Sequence, residues 1–274
     1  MGFKALGSTK NQVDQPLPVY TIRPADVPRR VVVAVAHPDD ETLGAGAAIA
    51  AHVQAGDHVQ IIVATDGEGS RAGGLDAEHM RRVRRDELHR ALEILGVTEV
   101  SWLGHPDGRL DAGSLAKVLA GQIQHATLVY TTAPLDFHPD HRAVARAIAA
   151  VVPAETTLRL MSLSVPLGTL VNRQIDAAGS QAAKQNALEA FATQAVSVAA
   201  VLRQQRHATA HVAQYVEVFW EIKAGLLEHV LEGFSDAEWA AVRGYRYWPW
   251  LDPLAWVSGR SIRSRVAQQV EANA

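Results

Sequence analysis

Apolar positions along this chain follow two rhythms. Val31-Val-Val-Ala-Val-Ala36 is an unbroken apolar run of small or β-branched residues, which reads as a strand buried on both faces. Further short apolar runs lie near 58–65, 99–103 and 127–132. Between and after them come stretches with helical spacing, near 43–55, 76–95, 114–125 and 140–151. Short strands alternating with helices predict βαβ units: a Rossmann-like α/β fold, its mostly parallel sheet flanked by helices. Right-handed crossovers then put the C-terminal ends of all four strands on one side.

Outside this block the rhythm loosens. Residues 1–30 hold Pro16, Pro18, Pro24 and Pro28 and read as an irregular leading arm. After Pro153, residues 157–165 alternate as a strand, 181–192 are helical and 215–221 form a late strand. From Ala224 two helices are expected around the aromatic segment Tyr245-Arg-Tyr-Trp-Pro-Trp250. No repeat or linker divides the chain. A single domain over 1–274 is therefore expected, with its core at about 30–220 and a C-terminal extension over 221–274.

The first strand runs straight into His37-Pro-Asp-Asp-Glu41, so an imidazole and two adjacent carboxylates sit where a central strand stops and a helix starts. Open α/β sheets place their ligands there. A second cluster, Asp136-Phe-His-Pro-Asp-His141, follows the run Leu128-Val-Tyr-Thr-Thr132. Either cluster alone has a plain reading, since an aspartate before a helix commonly caps it and a histidine at a strand end is commonly just hydrogen-bonded. Together, at two strand ends, they point to one metal site assembled from distant parts of the chain.

The chain has no cysteine, which excludes disulfides and thiolate ligands, so a metal must be held by His, Asp or Glu. His37 and Asp40 lie about one helical turn apart and can face one ion. His141 or His138 can supply a third ligand, leaving a position for water. Asp39 then stands beside the metal without being needed to bind it, suited to take a proton from water.

The formal charge of −3 gives no polyanion footprint, so nucleic acid is not an expected partner. The N-terminus has no apolar signal segment, and Leu6 stands where a myristoylation signal wants Ser or Thr. No run approaches the roughly 18 apolar residues of a membrane helix. A cytoplasmic protein without an integral membrane segment is expected.

His37-Pro-Asp-Asp-Glu41 with His138-Pro-Asp-His141 resembles the LmbE-like, or PIG-L, family of metal-dependent de-N-acetylases. The resemblance continues in Thr65-Asp-Gly-Glu-Gly69 with Arg71, in Arg84-Arg-Asp-Glu-Leu88 and in Leu103-Gly-His-Pro-Asp107. Lys184 with Ala187-Leu188, followed by Thr193-Gln194, is similar to a late helix of the family that usually ends Ser-Gln. It implies a zinc ion, with ferrous iron or another divalent ion also suited to an N/O donor set, bound by His37, Asp40 and His141. It further implies Asp39 as general base, His138 as the group stabilising the tetrahedral intermediate, and Asp140 as the carboxylate that orients and charges the His138 ring. Arg71 and Asp107 match substrate-contacting positions, though a solvated loop charge and a turn aspartate are the plainer readings. Arg81-Arg-Val-Arg-Arg85 reads as a solvated helix face, with Arg84 the candidate to turn inward.

The reaction so implied is hydrolysis of an N-acetyl or N-acyl group from an N-acetylglucosamine-type small-molecule conjugate, with homo-oligomerisation left open. One alternative is an amidase of the same family acting on a thiol-sugar conjugate or a non-sugar amide. Another is a non-catalytic zinc-containing binding protein, against which the retained Asp39 speaks. Gly44-x-Gly46 is not a nucleotide fingerprint, because His37-Pro-Asp-Asp-Glu41 occupies the phosphate-loop position.

Overall fold

The computed structural model describes residues 17–164, 167, 170–195, 197–199, 201–202 and 215–233. The apolar run expected at the centre of the sheet is there, as strand β2 (Arg30–Val35). Strand β1 (Val19–Tyr20) precedes it in the chain and lies at one sheet edge. On one side β2 pairs in parallel with β3 (His58–Thr65), and β3 with β4 (Glu99–His105). On the other it pairs in parallel with β5 (Leu128–Thr132), and β5 with β6 (Thr157–Met161). The sheet is completed by β7 (Arg173–Asp176), parallel to β1, and by β8 (Val216–Lys223), antiparallel to both β6 and β7. Its order is β1-β7-β8-β6-β5-β2-β3-β4.

Successive residues of β2 serve opposite faces, as the period of a strand requires. Val31, Val33 and Val35 pack in one core with α1 (Asp40–Gln54), α2 (Ala77–Leu95) and α5 (Gln181–Glu189). Val32 and Ala34, with Ala36 just beyond the strand, join the opposite core with α3 (Ala112–Ile123), α4 (Pro139–Val151) and α6 (Ala224–Glu232). Both faces are covered, which is why the run carries no polar residue. Among the described residues no helix is long and apolar enough to cross a membrane.

The expected strands and helices of the central block are all present. Two strands went unread: β1 is only two residues long and stands in the arm expected to be irregular, and β7 reads Arg-Gln-Ile-Asp with Ile175 alone buried, so neither shows an apolar alternation. The aromatic segment 245–250 and the second tail helix lie outside the described residues.

Helix α1 is interrupted at Ala45, whose φ of −142° and ψ of 16° are not helical. Such a break frees backbone groups in mid-helix. A buried pair satisfies them: Glu217 accepts from the N–H groups of Ala47 (3.1 Å) and Ala48 (2.8 Å), while Lys184 Nζ donates to the Leu43 carbonyl (2.9 Å) and to Glu217 (2.6 Å). A Cβ on Gly44 would fall 2.1 Å from Met161 Sδ, so the break is also where another strand's side chain presses in. Lys184→Met should leave the Glu217 charge buried without its cation and lower stability by about 3–5 kcal/mol, read from the denaturant midpoint.

A second buried network sits behind β5. His52 Nδ1 lies 2.6 Å from Asp57 Oδ2 and His52 Nε2 3.0 Å from the Tyr130 hydroxyl, whose oxygen also accepts from Arg159. With Arg159 donating to that oxygen, a neutral ring whose Nδ1–H faces Asp57 can accept the tyrosine proton at Nε2. Burial, with Arg159 and Arg29 nearby, lowers the His52 pKa to about 4 against the pull of Asp57. Because the folded pKa lies below the unfolded one, the contribution is complete above about pH 6.5 and lost as pH falls toward 4. Unfolding temperature should therefore drop more steeply over that window in the wild type than in His52→Gln.

Candidate metal centre

The strand order reverses between β2 and β5: β3 and β4 continue to one side, β6 to the other. The crevice beyond the C-terminal ends of two such strands is where this architecture binds ligands. Both sequence clusters open into it, one leading into α1 and the other into α4.

Three donor atoms converge there. Asp40 Oδ2 lies 3.3 Å from His37 Nδ1 and 3.3 Å from His141 Nε2, and the two ring nitrogens are 3.3 Å apart. Bonds of about 2.0–2.1 Å to a tetrahedral ion put its ligands about 3.4 Å from one another, so this triangle has the size of one face of such a site. All three side chains are buried. His138 also brings a ring nitrogen within 4.8 Å of those of His37 and His141. Its Nδ1 accepts the Asp140 backbone N–H (3.3 Å), which leaves Nε2 as the atom able to act in the cleft.

The outer nitrogens of both of these rings meet carboxylates. His37 Nε2 lies 3.0 Å from Asp107 Oδ1 and 3.5 Å from Asp140 Oδ2, and His141 Nδ1 lies 3.0 Å from Asp136 Oδ1. Carboxylates in that position fix ring orientation and tautomer at metal sites. Asp136 is itself anchored by the N–H groups of Leu163 and Ser164, both at 3.1 Å. Burial opposes charge on every group here, yet Asp40 and Asp136 outweigh it and raise His141 to about 10, and Asp107, Asp140 and Asp40 likewise raise His37 well above its ordinary value. Against its own burial, Asp40 is held well below the carboxylate range by His141 and His37. The donors form an anionic cup that draws in positive charge, and a divalent cation fits it.

Asp39 caps α1 with φ of 119°, the only non-glycine residue with positive φ among those described. Such a backbone costs on the order of 1–3 kcal/mol and persists only where surroundings enforce it. They do so here through Arg84. Its guanidinium lies 3.1 Å from Asp39 Oδ2 and donates to the carbonyls of Pro38 and of Gly67, the latter at 3.4 Å. A Cβ on Gly67 would lie 2.2 Å from Arg84 Nη1, so only glycine lets the arginine through. The Asp39 N–H donates to Glu41 Oε2 at 3.1 Å. Burial pushes the Asp39 carboxyl up to about 6, with Arg84 pulling the other way.

The other expected residues are placed less uniformly. The Asp140 carboxylate accepts from the N–H groups of Gly108 (2.7 Å) and Leu110 (3.1 Å) and borders His37, and its hydrogen bond to the His138 ring comes from its backbone. Asp107 uses one oxygen beside His37 and accepts the Gly69 N–H (3.0 Å) on the other. Arg71 is exposed in the loop that Gly69 belongs to, at the start of a 3₁₀ turn over Ala72–Gly74. Asp136 is part of the second cluster, and the sequence assigns it no role. Its only sequence signal is an aspartate two residues before His138.

A profile of the GlcNAc-PI de-N-acetylase family, PIG-L, matches residues 32–152. An uncharacterized deacetylase of Escherichia coli, YaiS, is 30% identical over 148 residues, which cover 50% of this chain and 75% of that protein. The chain belongs to the PIG-L family. Another relative, a 1D-myo-inositol 2-acetamido-2-deoxy-alpha-D-glucopyranoside deacetylase of Kineococcus radiotolerans, is 37% identical over 98 residues, or 34% of this chain and 27% of that one. The chain spans about half the length of most of the curated PIG-L relatives it matches. Among solved structures, the N,N'-diacetylchitobiose deacetylase of Pyrococcus horikoshii shares the fold at TM-score 0.60 and 19% identity, covering 72% of this chain and 84% of that one. So does the 4-carboxy-2-hydroxymuconate hydratase of Pseudomonas putida, at TM-score 0.58 and 22% identity over 71% and 96%. The fold alone therefore does not select the reaction.

Proposed function

We propose that this chain is a metal-dependent de-N-acetylase that hydrolyses the N-acetyl group of an N-acetylglucosamine-type conjugate. The observation that carries the reading is the triangle of His37, Asp40 and His141 donors beside a buried carboxylate, Asp39, that is not part of it. His37, Asp40 and His141 would hold one divalent ion, zinc by default. When bound, such an ion supplies Lewis-acid polarisation of the amide carbonyl and makes water more acidic.

Asp39 accepts the proton of the attacking water as its oxygen adds to the carbonyl carbon. Arg84 keeps that carboxylate aimed and charged. His138 Nε2 is free to donate a hydrogen bond to the developing oxyanion, and Asp39 returns the proton it took from water to the nitrogen as the C–N bond breaks. Acetate and a free amino sugar result. Arg71, exposed at the rim, is suited to sugar hydroxyls. Asp107 borders the same cleft while steadying His37.

The reading is tested by incubating the metal-loaded chain with a panel of N-acetylglucosamine conjugates and assaying acetate together with free amine. Equal amounts of the two from at least one conjugate are expected. No release from any of them, with metal bound, would sink the proposal.

A further inference from the structure

Thr193-Gln194 takes no part in the chemistry above, yet Gln194 is buried and every polar atom of its amide is engaged. The pair forms the end of a 3₁₀ turn, Ala192–Gln194, that packs against α2 and against the turn Ala72–Gly74. Glu87 on α2, 1% exposed, fixes this turn by accepting from the Thr193 N–H (2.8 Å) and its hydroxyl (2.7 Å). Gln194 Nε2 donates to Thr193 Oγ1 (3.0 Å) and to Ser70 Oγ (3.1 Å), and Ser70 Oγ also lies 3.4 Å from Gln194 Oε1.

Ser70 stands between Gly69, tied by its N–H to Asp107, and Arg71, which is exposed. The loop over 67–71 is thus held at two adjacent residues by partners from different parts of the chain. Asp107 holds it toward the ligand His37, and Gln194 holds it toward α2. We infer that Gln194 is a positioning residue: its clamp on Ser70 keeps the loop bearing Arg71 closed along the cleft and so sets affinity for the sugar part of the substrate. The inference rests on the de-N-acetylase reading. A loop freed from the clamp must be re-ordered at each binding event, which weakens binding without touching the groups that attack the amide.

The test uses the full metal-loaded chain and an aryl N-acetylglucosaminide. Gln194→Ala and Ser70→Ala should each raise KM by about 3- to 10-fold, the worth of one hydrogen bond, while kcat and metal per chain stay at wild-type values. The double variant should raise KM no further than either single one, because both remove the same contact. Additive effects on KM, or a fall in kcat together with metal content, would overturn the inference in favour of a general packing role. Amide exchange across residues 67–72 reads the clamp without turnover. Faster exchange in Gln194→Ala is expected, and unchanged exchange overturns the inference. A wild-type chain that releases no acetate sinks the de-N-acetylase reading instead, and the exchange result still decides the clamp.

Discussion

Asp39→Asn is expected to keep its metal and its substrate affinity and to lose about 10²–10⁴-fold in kcat, the usual contribution of a general base. Asparagine has the same shape and tolerates the left-handed backbone of residue 39 at least as well as aspartate does. The turn should therefore survive. Arg84 loses its ion pair, but the carbonyls of Pro38 and Gly67 still receive its donors, so the guanidinium is not stranded. What disappears is the ability to accept a proton. Steady-state kinetics beside elemental analysis of metal separates this from a collapsed site. Near-wild-type turnover would assign the base to another group.

His141→Ala is expected to lose metal and activity together while the chain stays folded. It removes one corner of a triangle whose remaining atoms, on His37 and Asp40, cannot alone hold a divalent ion firmly. It also leaves Asp136 facing empty space, although that carboxylate keeps the N–H groups of Leu163 and Ser164. The core contacts of α4 run through Val144, Ala147 and Ile148, one turn and more away, so secondary structure should persist. Full metal occupancy in His141→Ala would remove it from the ligand set. Chelation of the wild-type chain should reproduce the variant's loss of activity, and returning zinc should reverse it.

Much of this was legible in the residues because the informative signals are local. A doubly buried strand favours a continuous apolar run, so Val31 to Ala36 marks the centre of the sheet. The two histidine–aspartate clusters sit next to strands that the same rhythm picks out, which places them at one end of a parallel sheet. Other features are set by long-range geometry and left little or no trace in the residues. Arg84 is the arginine of its run expected to turn inward, and it does, but its partner Asp39 is set by its position on the inner side of α2. Asp140 follows His138-Pro139 so closely that a partnership of their side chains is the natural reading. The helix start turns its carboxylate toward Gly108, Leu110 and His37, while its charge still favours protonation of His138 against burial. The break in α1 hides behind two glycines, and its partners, Lys184 and Glu217, come from much later in the chain.

The central claim is tested most directly by titrating the metal-free chain with zinc while following acetate release from the N-acetylglucosamine conjugate that the panel identifies. Activity should rise linearly and level off at one ion per chain, with no release before metal is added and none in His141→Ala at any concentration that saturates the wild type. Acetate release by the metal-free chain at the full rate, or a plateau unaffected by His141→Ala, would contradict it.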